Sequence, residues 1–375
     1  MGNRHQRDEI DDGLEDVVVT RTRLSRVDGE HGRLTIAGEP VGTLTQARTF
    51  EEILGLLLER ADSDRGPKAS VDGPDWQRQL GRARAATFDR LAGGSDPAVA
   101  LLDDPMASLR AAVAALPSSG DDRLDAVRVV AAAATATATW WRLRRDEEPV
   151  EPDPALAHVA DYLRMLHGDS APEEAADAVE QYLVAVSDHG LNASTFTTRV
   201  ITSTGADLIS AAAGAVGALK GPLHGGAPGP VLDMLDAIDE AGDAEQWLSD
   251  RLDDGKRIMG MGHRVYRTRD PRADVFERAV EQLRGSDTVG GRLDLAREVE
   301  RTAQRLLAER HPDRELRANV EFYTAVLLEA AGVPPELFTN TFTVGRSAGW
   351  MAHALEQRRT GRLIRPRSQY VDTLA

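Results

Sequence analysis

Apolar residues return every three or four positions over much of this 375-residue chain, the period of one face of an α-helix. SDPAVALLDDPMASLRAAVAAL and PEEAADAVEQYLVAV show it well, with helix-start signals at Ser95, at Asp104 before Pro105, and at Pro172. The pattern predicts a mainly α protein. Strand signals are confined to the beginning, where VVVT (17–20) and GRLTIAG (32–38) flank the turn-rich VDGEHG and predict a small hairpin-like β element. The stretch AAAATATATWW (131–141) alternates like a strand, but long helical patterns flank it and turn signals are missing. It is expected to be helical, with Trp140 and Trp141 in the core. Breakers cluster at 61–75 and 145–154 and predict surface loops. Neither an internal repeat nor a low-complexity linker divides the chain.

One position disturbs the apolar pattern. In NVEFYTA (319–325), Glu321 stands between Val320 and Phe322, with Val326, Leu327 and Leu328 following. A carboxylate in such a run is either a satisfied structural acid or a base whose pKa the apolar setting has raised.

Composition narrows the setting. No stretch approaches the roughly 20 apolar residues of a membrane span, and MGNRHQRDEIDDG at the start is polar where a signal peptide is apolar, so a soluble, cytoplasmic protein is expected. The absence of cysteine excludes disulfides, thiolate metal sites and a cysteine nucleophile. A formal charge of −16 argues against nucleic acid or an anionic membrane as partner. Only Lys68, Lys220 and Lys256 are lysines, against 42 arginines. Such an acidic, lysine-poor chain fits either life in concentrated salt or a genome rich in arginine codons.

Candidate chemistry gathers in the second half, in DHGLNASTF (188–196), GPLHGGAPGP (221–230), GMGHRVYRTRDPR (260–272), VGRSAGW (344–350) and RLIRPRSQY (362–370). Glycine beside His224 and His263 lets backbone and imidazole approach a ligand closely. HExxH and short His-x-His pairs are missing, so no metal is expected. GMGH is too short for a dinucleotide fingerprint and has no strand before it. Acid–base chemistry with arginine clamps is left, and Arg272, Arg346, Arg365 and Arg367 suit a substrate bearing carboxylates.

GPLHGGA, IMGMGHRVYRTRDPRA, NVEFYTA, VGRSAGWMAHALEQ and LIRPRSQYV, in that order, resemble the citrate synthase family, as do DHGLNASTF and the opening GLEDVVVTRTRLSRVDGEHGRL. The resemblance spans residues 13–375. It implies an almost all-α, two-domain fold, with residues 1–224 and 335–375 as a large domain and 225–334 as a small one. A homodimer with shared sites is implied, condensing acetyl-CoA with oxaloacetate, without metal or cofactor. By resemblance His224 holds the thioester oxygen, Glu321 removes the methyl proton and His263 polarises the oxaloacetate carbonyl. His189, Arg272 and Arg346 hold oxaloacetate, Arg365 reaches it from the other subunit, and Arg257, Met259, Gly260, Met261, Gly262 and Arg267 meet CoA. Three features depart from the family pattern: Glu321 where aspartate is usual, AGEPVG (37–42) in place of an aromatic Gly-Tyr pair, and ADSDRGPKASVDGPD in place of a Leu-Pro helix entry. Two alternatives share the motifs: a 2-methylcitrate synthase using propionyl-CoA, and a paralogue that binds ligands without turnover. His353 is expected in packing, His311 in solvent, and His5, His31, His158 and His167 offer no partner by spacing.

Overall fold

The computed structural model describes residues 13–14, 17–62, 75–92, 102–225, 228–263, 265–285, 287–313, 315–370 and 372. Their sheet is a three-stranded antiparallel one, with β1 (Ser25–Asp28) on β2 (Arg33–Ile36) on β3 (Glu39–Pro40). Ser25 lies opposite Ile36 and Asp28 opposite Arg33, so VDGEHG is indeed the hairpin turn. The expected first strand is corrected: residues 17–20 are irregular, and SRVD pairs in place of VVVT. Val18 is 87% exposed, which removes the half-buried pleated surface that β-branched residues need. Leu34 and Ile36 point inward and anchor β2.

Helices supply the rest, as the periodicity predicts. In chain order they are α1 (Val41–Ala47), α2 (Phe50–Asp62), α3 (Trp76–Ala92), α4 (Pro105–Ala114), α5 (Asp122–Leu143), α6 (His158–His167), α7 (Glu173–Val186) and α8 (Ala193–Ser203). There follow α9 (Leu208–Leu219), α10 (Pro228–Ala241), α11 (Ala244–Asp253), α12 (Pro271–Gln282), α13 (Asp287–Arg310), α14 (Val320–Ala330) and α15 (Phe338–Thr360). Asp104 caps α4 through the Ala107 N–H with Pro105 in the first turn, matching the start signal, while the start at Ser95 falls outside the described residues. Residues 61–62 still belong to α2, with Ala61 buried; 63–74 lie outside the described residues. The segment 145–154 is irregular and mostly exposed or half-exposed, as the breakers indicate.

The Ala/Thr stretch is the middle of α5, and every residue from Val129 to Trp140 is buried. Thr135 and Thr137 donate to carbonyls four residues back, which satisfies their hydroxyls inside the helix. Small side chains let α3, α4, α6 and α15 approach α5 on all sides. Trp140 is core and donates to the Leu102 carbonyl at 2.7 Å; Trp141 is only partly buried, with Arg145 over its ring.

Residues 228–330 are held differently. Here α10 packs on α11 and α14, α11 on α13 and α12 on α14. Around them Arg269 joins Asp274, Glu277 and Glu300, Arg297 joins Glu277 and Glu281, and Arg292 joins Glu329 and Asp236.

Two histidines without a partner by spacing prove to have one. His158 is fully buried, its Nδ1 3.2 Å from Arg84 and its ring stacked on Phe50. His31 pairs with Asp28 across the hairpin turn. His353 is buried in packing, as expected, between Arg199 and Asp188.

Candidate active site

Two segments distant in sequence are laced together beside Glu321. Asn319 donates to the Gly262 carbonyl at 2.9 Å, its N–H reaches the Gly260 carbonyl at 2.9 Å, and the Gly262 N–H reaches the Arg317 carbonyl at 2.7 Å. Met261 bridges Ala318. Gly260 and Gly262 both have positive φ, and a Cβ on Gly260 would fall 2.9 Å from Phe322, so this approach requires glycine. Asn319 also caps α14 by accepting the Glu321 N–H at 3.0 Å. The GMG segment is therefore fixed alongside the first turn that carries Glu321.

Burial pushes the Glu321 carboxyl above the usual carboxylate range, and Asp270 adds to this, while Arg272 and Asn319 pull it down. Glu321 is thus half-buried beside charged neighbours, with its pKa raised as an apolar setting would raise it.

His263 follows the GMG segment. Its Nδ1 accepts the N–H groups of Val265 (2.9 Å) and Tyr266 (3.1 Å). A nitrogen that accepts two backbone donors carries no proton, so the neutral ring has its hydrogen on Nε2. Burial, with Arg272 next, lowers its pKa to about 4, so the ring is neutral near pH 7. His189 stands against it, with ring centroids 6.0 Å apart, and the Tyr266 hydroxyl is 3.0 Å from His189 Nε2. Burial and then Arg272 hold the His189 pKa well below normal.

His224 has the opposite tautomer. Its Nε2 accepts the Ser194 N–H at 3.3 Å and lies 2.7 Å from the Ser194 hydroxyl, leaving Nδ1 protonated. Asn192 caps α8 and also touches that hydroxyl, and Trp350 donates to it at 3.0 Å. Burial and then Arg346 lower the His224 pKa to about 4. Two neutral imidazoles are in place, with His224 Nδ1 and His263 Nε2 assigned as the donors by the backbone N–H groups that their other nitrogens accept.

The cations complete the cluster. Arg272 is buried and forked onto Asp270, with Nε–Oδ1 3.0 Å and Nη2–Oδ2 2.7 Å. Arg346 is buried over the Phe342 ring and donates from Nε to the Val186 carbonyl at 2.6 Å. Burial, with Arg272 next, lowers its pKa to about 10. Against burial, Asp270 keeps the Arg272 pKa raised, whereas burial and then Arg272 depress that of Arg346, so the pair places buried positive charge that suits a carboxylate-bearing ligand.

His189, His263 and Asp270 offer one ligand atom each within 4.8 Å, the spacing of a metal site. The donor set does not fit one. His263 Nε2 carries the hydrogen, and both Asp270 oxygens are engaged by Arg272.

Thus His189, His224, His263, Arg272, Arg346 and Glu321, expected together from sequence, share one electrostatic neighbourhood. Arg365 is exposed on the C-terminal tail, and no contact joins it to this cluster among the described residues. Arg257 and Arg267 are exposed; Met259 is partly buried. Sequence reading passed over Ser194, Tyr266, Asp270 and Asn319. Asp270 before Pro271 and Asn319 before α14 carry the same cap signal as Asp104, which could have flagged both.

Residues 13–367 match the family described as "Citrate synthase, C-terminal domain". The chain belongs to the citrate synthase family. This citrate synthase-family chain is 36% identical to the citrate synthase of Haloferax volcanii over 96% of both chains. It is 34% identical to a 2-methylcitrate synthase of Mycobacterium tuberculosis, covering 97% of this chain and 91% of that one. In structure it resembles the Thermoplasma acidophilum citrate synthase solved with carboxymethyl coenzyme A and oxaloacetate, with TM-score 0.84, 29% identity and coverage of 98% and 97%. The mainly α fold with a small sheet agrees with that membership. The family is one of condensing transferases, so the cluster is the candidate active site of an enzyme.

Proposed function

We propose that this protein condenses acetyl-CoA with oxaloacetate and water to give citrate and CoA. The observation that carries the reading is the joint placement of a carboxylate with raised pKa, two neutral histidines of opposite tautomer and two buried arginines. A thioester methyl is a very weak acid, so its proton leaves only if a base and an oxygen-side donor act together. Glu321 accepts that proton while the Nδ1 hydrogen of His224 binds the thioester oxygen of the enolate. The nucleophilic carbon then adds to the ketone carbon of oxaloacetate, opening its C=O to an alkoxide that is protonated through the Nε2–H of His263, which balances the proton taken up by Glu321 and then lost to solvent. His189, Arg272 and Arg346 hold the two carboxylates, and the exposed Arg365 of a second subunit completes the site in a homodimer. Arg257, Met259, Gly260, Met261, Gly262 and Arg267 receive CoA. Water finally attacks the thioester of citryl-CoA, and CoA leaves as the thiol. Residues 225–334 act as a small domain closing on 1–224 and 335–375, which excludes water from the enolate.

No helix among the described residues is long and apolar enough to cross a membrane, which supports a cytoplasmic enzyme. The charge of −16 supports adaptation to concentrated salt.

The 34% identical 2-methylcitrate synthase keeps propionyl-CoA as a second acyl donor. One methylene in an apolar pocket is worth about 1–3 kcal/mol, so the two are separated by kcat/KM rather than by motif. CoA release with oxaloacetate, measured for both thioesters, should favour acetyl-CoA by at least roughly tenfold. A propionyl preference makes the chain a 2-methylcitrate synthase, and no release with either thioester despite oxaloacetate binding makes it a non-catalytic paralogue.

The pH dependence carries a sign. Glu321 works ionised, and its pKa is raised, so kcat falls on the acid side with an apparent pKa above the usual carboxylate value. His224 and His263 protonate only near pH 4, below that limb. A kcat profile whose acid limb tracks a normal imidazole, near 6.5, would contradict this assignment.

A further inference from the structure

The hairpin turn of β1 and β2 touches both sides of the active site without belonging to it. On one side its Gly29 carbonyl accepts the Arg267 N–H at 2.9 Å, and a Cβ on Gly29 would fall 2.2 Å from the Val265 carbonyl oxygen. At Gly32, with φ +60°, a Cβ would fall 2.3 Å from Thr268 Oγ1. On the other side Ser25 Oγ accepts the Gly190 N–H at 2.8 Å, with Val27 beside the same glycine. The docked loop, residues 265–268, supplies the two N–H groups that hold His263 Nδ1. It also carries Tyr266, whose hydroxyl meets His189. Gly190 directly follows His189.

We infer that the β1–β2 hairpin from Ser25 to Gly32 is a positioning element for the His189–His263 pair, with Gly29 in its turn and Ser25 at the start of β1 as its positioning residues. By clamping residues 265–267 and the 189–190 turn at once, the hairpin keeps the two rings at their 6.0 Å spacing and keeps the Nε2 hydrogen of His263 directed into the site. The inference rests on the reading that this pair receives oxaloacetate.

Gly29→Ala tests it, because Gly29 does not have a left-handed φ and alanine adopts its backbone without strain. Only the contact suffers: an ordinary carbon–oxygen contact needs about 3.3 Å, so turn and loop must part by roughly 1 Å, a displacement that can cost up to about a hundredfold at a reacting centre. Isothermal titration of the full-length protein with oxaloacetate alone should show the dissociation constant rising about tenfold or more, with the melting temperature falling more in Gly29→Ala than in Ser25→Ala because only the former adds a clash. Ser25→Ala, which removes the Gly190 bond and the hydroxyl's hydrogen bond to Asp188 without adding bulk, should weaken binding in the same direction and decides the matter if Gly29→Ala does not fold. Wild-type affinity in both variants overturns the inference, as does weaker binding accompanied by an equal loss of thermal stability in both. Failure of the wild-type protein to bind oxaloacetate at all overturns the underlying functional reading instead.

Discussion

Glu321→Gln should abolish turnover, lowering kcat by about a thousandfold or more, while oxaloacetate still binds. The amide keeps the shape and the Asn319-capped first turn, since that cap is made to the backbone N–H of residue 321. It removes a carboxylate that combines a raised pKa with a place beside the GMG segment. It also removes a negative charge near Arg272, so oxaloacetate affinity should stay level or tighten. Titration calorimetry together with single-turnover CoA release checks both halves. An active glutamine variant would mean that another group removes the proton.

His224→Ala should lower kcat by about 10²–10³, the usual effect of losing one donor to a developing oxyanion. His224 has a lowered pKa and an Nε2 already engaged by Ser194, so what it offers is a neutral Nδ1 donor. The pH dependence of the residual activity should therefore be unchanged, because the acid limb belongs to Glu321. A shifted limb would make His224 a proton carrier. In the same variant oxaloacetate binding should be retained, since His189, Arg272 and Arg346 are untouched, and steady-state kinetics with calorimetry reads this directly.

Much of the molecule was legible before its structure was described. Helical periodicity locates α4, α5 and α7, because each buries one face or, for α5, its whole middle. VVVT misleads because β propensity reports fitness for a half-buried surface, and residue 18 has none. The ordered motifs assemble His189, His224, His263, Arg272, Arg346 and Glu321. Spacing along a chain says nothing of which imidazole nitrogen is protonated, however. That depends on Ser194, some 30 residues before His224, and on backbone donors that every residue possesses. Arg365 marks a further limit, since its expected role needs a neighbour that a single chain does not contain.

The contrast between α5 and the shell around α12–α14 reaches beyond stability. Contacts among buried alanines and threonines are indifferent to dissolved ions, and excluded salts reinforce them. The half-exposed pairs of Arg269, Arg292 and Arg297 weaken as the screening length shrinks to about 3 Å near 1 M. Rising ionic strength should therefore loosen the pairs around α12–α14 sooner than the buried middle of α5.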